Sequence, residues 1–298
     1  MNNLDIYISF WGFSDFDIND LDERISNIVD MTALSFSCAR RHYENIYLVT
    51  DSKSLPLFED IPFTAIYTDL DELHDLDPKY HRYWSLGKIK TIQVATEIGR
   101  PFVQIDYDVF LQKPLPEWLV SSGVFAQSPE PVAHTFAYNL DLFYETYDYL
   151  GPCVHKSENA FNCGIIGGTD IEFFKKYANG AIEFIKHPSN FKAFDLKLSS
   201  SKKAAEYSYL AFTQYRMIPN EVPGFQFAIW SEQYYLACLA IQEKVDVELL
   251  FKSHSEDYNA AVAAEYGYIH LLDGKNNPET MANVVENANI ARFNGYRF

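Results

Sequence analysis

The stretch FVQIDYDVF, residues 102–110, drives an apolar segment straight into two aspartates two positions apart, Asp106 and Asp108. In an extended strand, residues i and i+2 face the same way, so this spacing predicts two carboxylates projecting into one space. Anions held that close repel, and each resists desolvation unless a cation lies between them. Hard oxygen donors suit Mg2+ or Mn2+, ions that keep waters and take substrate phosphates as further ligands. The alternative reading is a solvated strand end or turn. Five Asp-x-Asp triplets occur in the chain, so the match alone decides nothing. The other four, at 15/17, 20/22, 69/71 and 75/77, lie in acidic loops, at a helix start or before a short acidic stretch. The pair Asp106 and Asp108 differs because it follows a long apolar run and leads into Val109, Phe110 and Leu111.

The elements that must position this pair follow from hydrophobic periodicity. LDIYISFWG predicts an opening strand ending at Gly12, and the helix after it carries Ile25, Ile28, Val29 and Thr32 on one face, with Asp20 and Glu23 as a capping pair. NIYLVTD and FTAIYTD predict the next two strands, and WSLGKIKTIQVATEIG a helix stopped by Gly99 ahead of Pro101. Such alternation through residue 110 implies an α/β fold with a mostly parallel central sheet flanked by helices. Ligands of these sheets collect outside the carboxyl ends of the strands. Trp11, Thr50, Asp51, Asp106 and Asp108 all fall at or just past such ends, so one edge of the sheet is expected to carry them.

The second half predicts strands in SGVFAQSPE and FNCGIIGG and a helix, TDIEFFKKYANGAIEFIKH, capped by Thr169 and Glu172. Helices are also expected in KKAAEYSYLAFTQYR and SEQYYLACLAIQEK, and a last one begins with Asn277 as N-cap and Pro278 at its first position. Residues 128–160, rich in Pro, Tyr and His, read either as connective packing or as an active-site flap. No repeat, low-complexity tract or Gly/Ser linker divides the 298 residues, which points to one domain over 1–298.

A formal net charge of −17 argues against sequence-independent nucleic-acid binding, which needs a cationic surface. A polyanionic small molecule would need a local cation, and a metal fits that need. Cys38, Cys153, Cys163 and Cys238 show no metal-type spacing and read as reduced and buried. The N-terminus lacks a signal-type pattern and no transmembrane-length apolar run occurs, so a cytoplasmic location is expected.

FVQIDYDVF resembles the Asp-x-Asp segment of nucleotide-sugar-dependent glycosyltransferases of the GT-A fold, in particular the family 8 retaining enzymes. Further matches follow in order over nearly the whole chain: FNCGIIGG with the family's Asn-x-Gly strand, SEQYYL with its acidic-Gln helix start, and YIHLLDGKNN with its His/Gly/Lys phosphate loop. The resemblance implies a Rossmann-like nucleotide-binding half, 1–110, and an acceptor-binding half, 111–298, with a C-terminal helix. It implies that Asp108 and His270 bind Mn2+ or Mg2+, with Asp106 on the ribose or the metal. Gly274 and Lys275 would meet the diphosphate, and Lys88 would contact the donor. Trp11, Thr50 and Asp51 would hold the base and ribose, and Asn162 and Gly164 would line the sugar and acceptor side. Glu232 and Gln233 would lie beside the reacting carbon; on its residues alone, Glu232 reads equally as a carboxylate stabilised at a helix start. The implied activity is sugar transfer from a UDP-sugar to a glycan, lipid-linked or protein hydroxyl acceptor, by analogy in surface glycan assembly. This sequence has Ser-Glu-Gln where many relatives have Asp-Gln, and its phosphate loop is shorter, which leaves retention or inversion open.

Rival readings fit less well. A sugar-nucleotide pyrophosphorylase needs a Gly-rich basic loop after the first strand, where SFWGFSDFDIND supplies aromatics and acids. A dehalogenase-type phosphatase would place its aspartates after the first strand. An inactive scaffold on the same fold is the alternative of a different class.

Overall fold

The computed structural model describes residues 4–12, 23–74, 85–132, 140–190 and 229–296. Its strands are β1 (Asp5–Ser9), β2 (Ile46–Val49), β3 (Ala65–Tyr67), β4 (Phe102–Ile105), β5 (Val109–Leu111), β6 (Val124–Pro131), β7 (Asn159–Gly168), β8 (Val247–Leu249) and β9 (Tyr268–His270). Seven of them form one sheet in the order β3-β2-β1-β4-β7-β6-β8, while β5 and β9 make a separate two-stranded sheet. In the large sheet β7 runs antiparallel to both neighbours, and the remaining pairs are parallel. The mixed, mostly parallel sheet flanked by helices is therefore the architecture expected from the alternating pattern.

The helices are α1 (Glu23–Arg40), α2 (Ser85–Ile98), α3 (Glu117–Val120), α4 (Leu140–Thr146), α5 (Ile171–Lys186), α6 (Tyr235–Glu243), α7 (His254–Asp257), α8 (Ala260–Tyr266) and α9 (Pro278–Phe293). Every residue of β1, β2 and β4 is buried, as strands covered on both faces require. Alternate side chains divide between two cores. Tyr7, Tyr47 and Phe102 pack with Ile89, Phe174 and Trp230 on one face, and Ile6, Ile8, Leu48 and Val103 pack with Phe36, Phe125 and Ile165 on the other. The edge away from the strand ends is stitched by Asp5, which is 1% exposed and takes Arg100 at 2.7 Å and the Asn45 amide at 3.0 Å.

Several local expectations change. The Asp-x-Asp pair is not in a strand: β4 ends at Ile105, the Asp106 N–H still reaches the Gly164 carbonyl at 2.9 Å, and the chain then turns, with the Val109 N–H on the Asp106 carbonyl at 3.0 Å. The cap of α5 is Asp170, whose carboxylate accepts from the Phe173 N–H at 3.0 Å. Thr169 is instead tied to the preceding loop, its N–H and hydroxyl donating to the carbonyls of Ser122 and Gly123. Asn277 and Pro278 open α9 as the sequence requires. Within 128–160, β6 runs on to Pro131 and Phe143, Tyr147 and Cys153 are buried; residues 133–139 lie outside the described residues. Asp20 and the segment KKAAEYSYLAFTQYR lie outside the described residues. All four cysteines are free and buried. Among the described residues, no helix is long and apolar enough to cross a membrane.

Candidate active site

Asp106 and Asp108 meet His270 because the small sheet puts them together. After the turn, β5 pairs antiparallel with β9, setting Val109 opposite His270, and the Leu271 N–H closes on the Asp108 carbonyl at 3.1 Å. This register brings His270 Nε2 to 3.5 Å from Asp108 Oδ1 and 4.0 Å from Asp106 Oδ2. One donor atom from each of the three side chains lies within 4.8 Å of the others. Two carboxylates and an imidazole suit a divalent ion such as Mn2+. The convergence predicted from strand periodicity thus exists, produced instead by a turn and a second sheet.

The state of the imidazole is set from behind. The Gln127 side-chain N–H2 donates to both Asp257 oxygens, at 2.7 and 2.9 Å, which fixes the amide orientation. Its Oε1 therefore faces Tyr268 and His270 and accepts from the Tyr268 hydroxyl at 2.5 Å and from His270 Nδ1 at 3.0 Å. With a hydrogen on Nδ1 held by Gln127, the ring turns Nε2 towards the aspartates, the orientation a metal-binding histidine needs. Gly164 makes room for this contact: a methyl group there would lie 2.1 Å from Gln127 Oε1 and 2.6 Å from the His270 ring. Its place in the Asn-x-Gly strand is explained by clearance for the cation site. Sequence reasoning missed Gln127, Tyr268 and Asp257; a glutamine in the otherwise apolar run VFAQ was the available signal.

Two lysines close on the pair. Lys275 Nζ is 3.0 Å from Asp108 Oδ2, brought there by a short turn in which Leu272 adopts the left-handed region at φ 46°. Burial alone would raise the Asp108 carboxyl, but the His270 ring and Lys275 ammonium beside it hold it well below the ordinary carboxylate range. Lys88, on the first turn of α2, is 2.8 and 3.1 Å from the two Asp106 oxygens, 2.6 Å from Glu232 Oε1 and 3.2 Å from the Cys163 carbonyl. Burial works to lower the Lys88 ammonium; Asp106 and Glu232 outweigh it and raise it above its ordinary value.

Glu232 is 1% exposed and sits in the π-helical turn Trp230–Tyr234 ahead of α6, a distortion frequent at functional sites. Burial pushes its carboxyl up to about 7, with Asp106 adding to the rise and Lys88 opposing it. Gln233, next along that turn, is half-buried. Of the remaining candidates, Asn162 donates from Nδ2 to Glu130 at 3.3 Å and accepts from the Gly164 N–H at 3.0 Å. Gly274 turns the loop before Lys275, where a methyl group would meet only Thr280, at 3.8 Å.

Past the ends of β1 and β2, Asp51 is fully buried and accepts from the Gly12 N–H at 2.8 Å and from Ser54. It ties the loop after β1 to the loop after β2. Thr50 continues this stitching through the Tyr67 carbonyl and the Leu70 N–H. Trp11 is 7% exposed and packs over Gly87 and Leu70. Asp51, Asp71 and His74 form a second compact donor group, in which Asp71 accepts from the Ser52 N–H at 2.7 Å.

No curated protein matches the sequence. The fold is similar to the apo crystal structure of mouse xyloside xylosyltransferase 1, with a TM-score of 0.42 and 10% identity over 90% of this chain and 96% of that one. Residues 6–296 match the model of a family of unknown function, DUF6734, and the chain belongs to that family.

Proposed function

We propose that the protein is a divalent-cation-dependent glycosyltransferase that moves a sugar from a nucleoside diphosphate donor, a UDP-sugar, to a hydroxyl acceptor. The observation that carries this reading is the convergence of Asp106, Asp108 and His270 at the carboxyl edge of a mostly parallel sheet, with Lys275 against Asp108. A cation held by these three residues would supply the positive charge that a diphosphate needs as it departs.

The protein's own groups divide the remaining work. Lys275, whose side chain is 39% exposed, borders the cation site and is the ammonium available to a diphosphate oxygen. Lys88 holds Asp106 and Glu232 in fixed positions, and Glu232, with its carboxyl raised to about 7, can hold or release a proton near neutrality. Gln233 follows it into the half-buried layer, toward the donor sugar. Asn162, anchored on Glu130, lines the acceptor side. Thr50, Asp51 and Trp11 build the floor under the base and ribose through the loops they join.

Release of UDP from UDP-glucose and UDP-galactose in the presence of Mn2+ tests the proposal. Turnover that a chelator abolishes is the expected result. No binding and no release across a panel of nucleotide sugars would favour a scaffold on the same fold.

A further inference from the structure

The two lysines at the aspartate pair are held in different ways. Lys88 is locked: its side chain is 9% exposed, and its ammonium meets both Asp106 oxygens, Glu232 and the Cys163 carbonyl. Among the described residues, Lys275 has a single carboxylate partner. Its ammonium lies 3.0 Å from Asp108 Oδ2 and 5.9 Å from the centre of the Tyr107 ring, and its side chain is 39% exposed. The turn that carries it, Leu272–Asn276, has room at Gly274, where an added methyl group would come no closer than 3.8 Å to Thr280.

Both oxygens of Asp108 are engaged. The side chain is 3% exposed, with Oδ2 facing Lys275 and Oδ1 facing His270 Nε2 at 3.5 Å. A divalent ion held by Asp106, Asp108 and His270 would therefore meet an ammonium already seated on one of its ligands. Two positive charges on one carboxylate repel, and little water screens them at so buried a group. The Lys275 ammonium, on a flexible four-carbon stem and partly open to solvent, has a way out that the buried Lys88 lacks. A diphosphate supplies the anionic partner that draws it away.

We propose that Lys275 is an exchangeable counter-charge, which neutralises Asp108 in the nucleotide-free protein and moves to the diphosphate when cation and nucleotide bind together. The proposal rests on the cation-dependent reading above and gives that site its regulation. No covalent bond changes; one ion pair replaces another. Lys275 opposes the cation when it arrives alone and favours the nucleotide when the two arrive together, so it makes the affinity of each depend on the other. By linkage that dependence is reciprocal. A lysine that only anchored its loop would move both affinities in the same direction, or neither.

The test is calorimetric titration of Mn2+ into nucleotide-free protein, and of UDP into protein with saturating Mn2+, for wild type, Lys275→Met, Lys275→Gln and Lys275→Arg. Removing the charge is expected to tighten the binding of Mn2+ alone about 10-fold and to weaken UDP binding in Mn2+ about 10–100-fold. Lys275→Arg keeps the charge and is expected to leave the affinity for Mn2+ alone at the wild-type value. Lys176→Met removes the same charge from an exposed pair with Glu243 and is expected to change neither affinity. Binding of Mn2+ alone that is unchanged or weaker in both neutral variants would overturn the exchange while leaving cation-dependent transfer standing, and so would UDP binding that neither variant weakens. Mn2+ that binds neither the wild type nor the variants, with or without UDP, would overturn both.

Discussion

Replacing Lys88 with methionine keeps an unbranched apolar side chain and removes the ammonium with its charge and its hydrogen-bond donors. That charge is shared by Asp106 at 2.8 Å and Glu232 at 2.6 Å, and the Lys88 and Glu232 side chains are only 9% and 2% exposed. Breaking a buried pair by removing one partner costs about 3–5 kcal/mol, because the other charge is left uncompensated. For a chain of 298 residues, an unfolding entropy of roughly 2.1 cal/mol/K per residue turns that into a fall in Tm of about 5–8 °C. The loss should depend on pH. The folded Glu232 carboxyl, at about 7, lies above its ordinary value of 4.5, so the folded state binds this proton more tightly than the unfolded one. Stability from that proton is fully present below the unfolded value and is lost as pH rises towards 7. Removing Lys88 drives the carboxyl higher still, so the variant should lose more at pH 8 than at pH 5. Urea unfolding at both pH values measures this, and adding Glu232→Gln to Lys88→Met should recover at least about 1 kcal/mol as a coupling energy. A loss below about 1 kcal/mol that is equal at the two pH values would refute the buried-pair reasoning.

Other substitutions probe the parts separately. Gly164→Ala forces a methyl group into the space of Gln127 and His270 and should cost about 1–3 kcal/mol by overpacking, with weakened Mn2+ binding by calorimetry; wild-type values of both would remove the clearance argument. Gln127→Leu takes the orienting acceptor from His270 and should lower Mn2+ affinity about 10–100-fold, and an unchanged affinity would mean that the ring needs no support. Asp170→Ala removes the α5 cap and should cost about 1 kcal/mol in urea unfolding, whereas Thr169→Val should cost less at that helix end.

How much of this was legible follows from the range of each signal. The Asp-x-Asp pair stood out because a long apolar strand led into it, and its place at the strand end is correct. Its local conformation was not legible: nothing within FVQIDYDVF says that β4 stops at Ile105 and that β5 finds its partner about 160 residues later, at β9. His270 was reached only through a family resemblance, since one histidine carries no periodic signal. The pairing of Lys88 with Glu232 joins α2 to a π-helical turn more than a hundred residues away, and no local pattern encodes such a contact. Thr169 was preferred over Asp170 as a cap because the two are neighbouring cap-type residues, and what separates them is the tertiary contact of Thr169 with Ser122. Asp51 falls just past the end of β2, as expected, but its hold on the Gly12 backbone depends on how two loops meet.

The central claim is that Asp106, Asp108 and His270 hold a divalent ion that receives a nucleoside diphosphate. Calorimetric titration of UDP into wild-type protein and Asp108→Ala, each with Mn2+ and with chelator, tests it most directly. UDP binding that requires Mn2+ in the wild type, and that weakens at least about 100-fold in a folded Asp108→Ala protein, about the worth of a buried charge-assisted contact, is the predicted result. UDP affinity that is the same with and without the ion would contradict the claim.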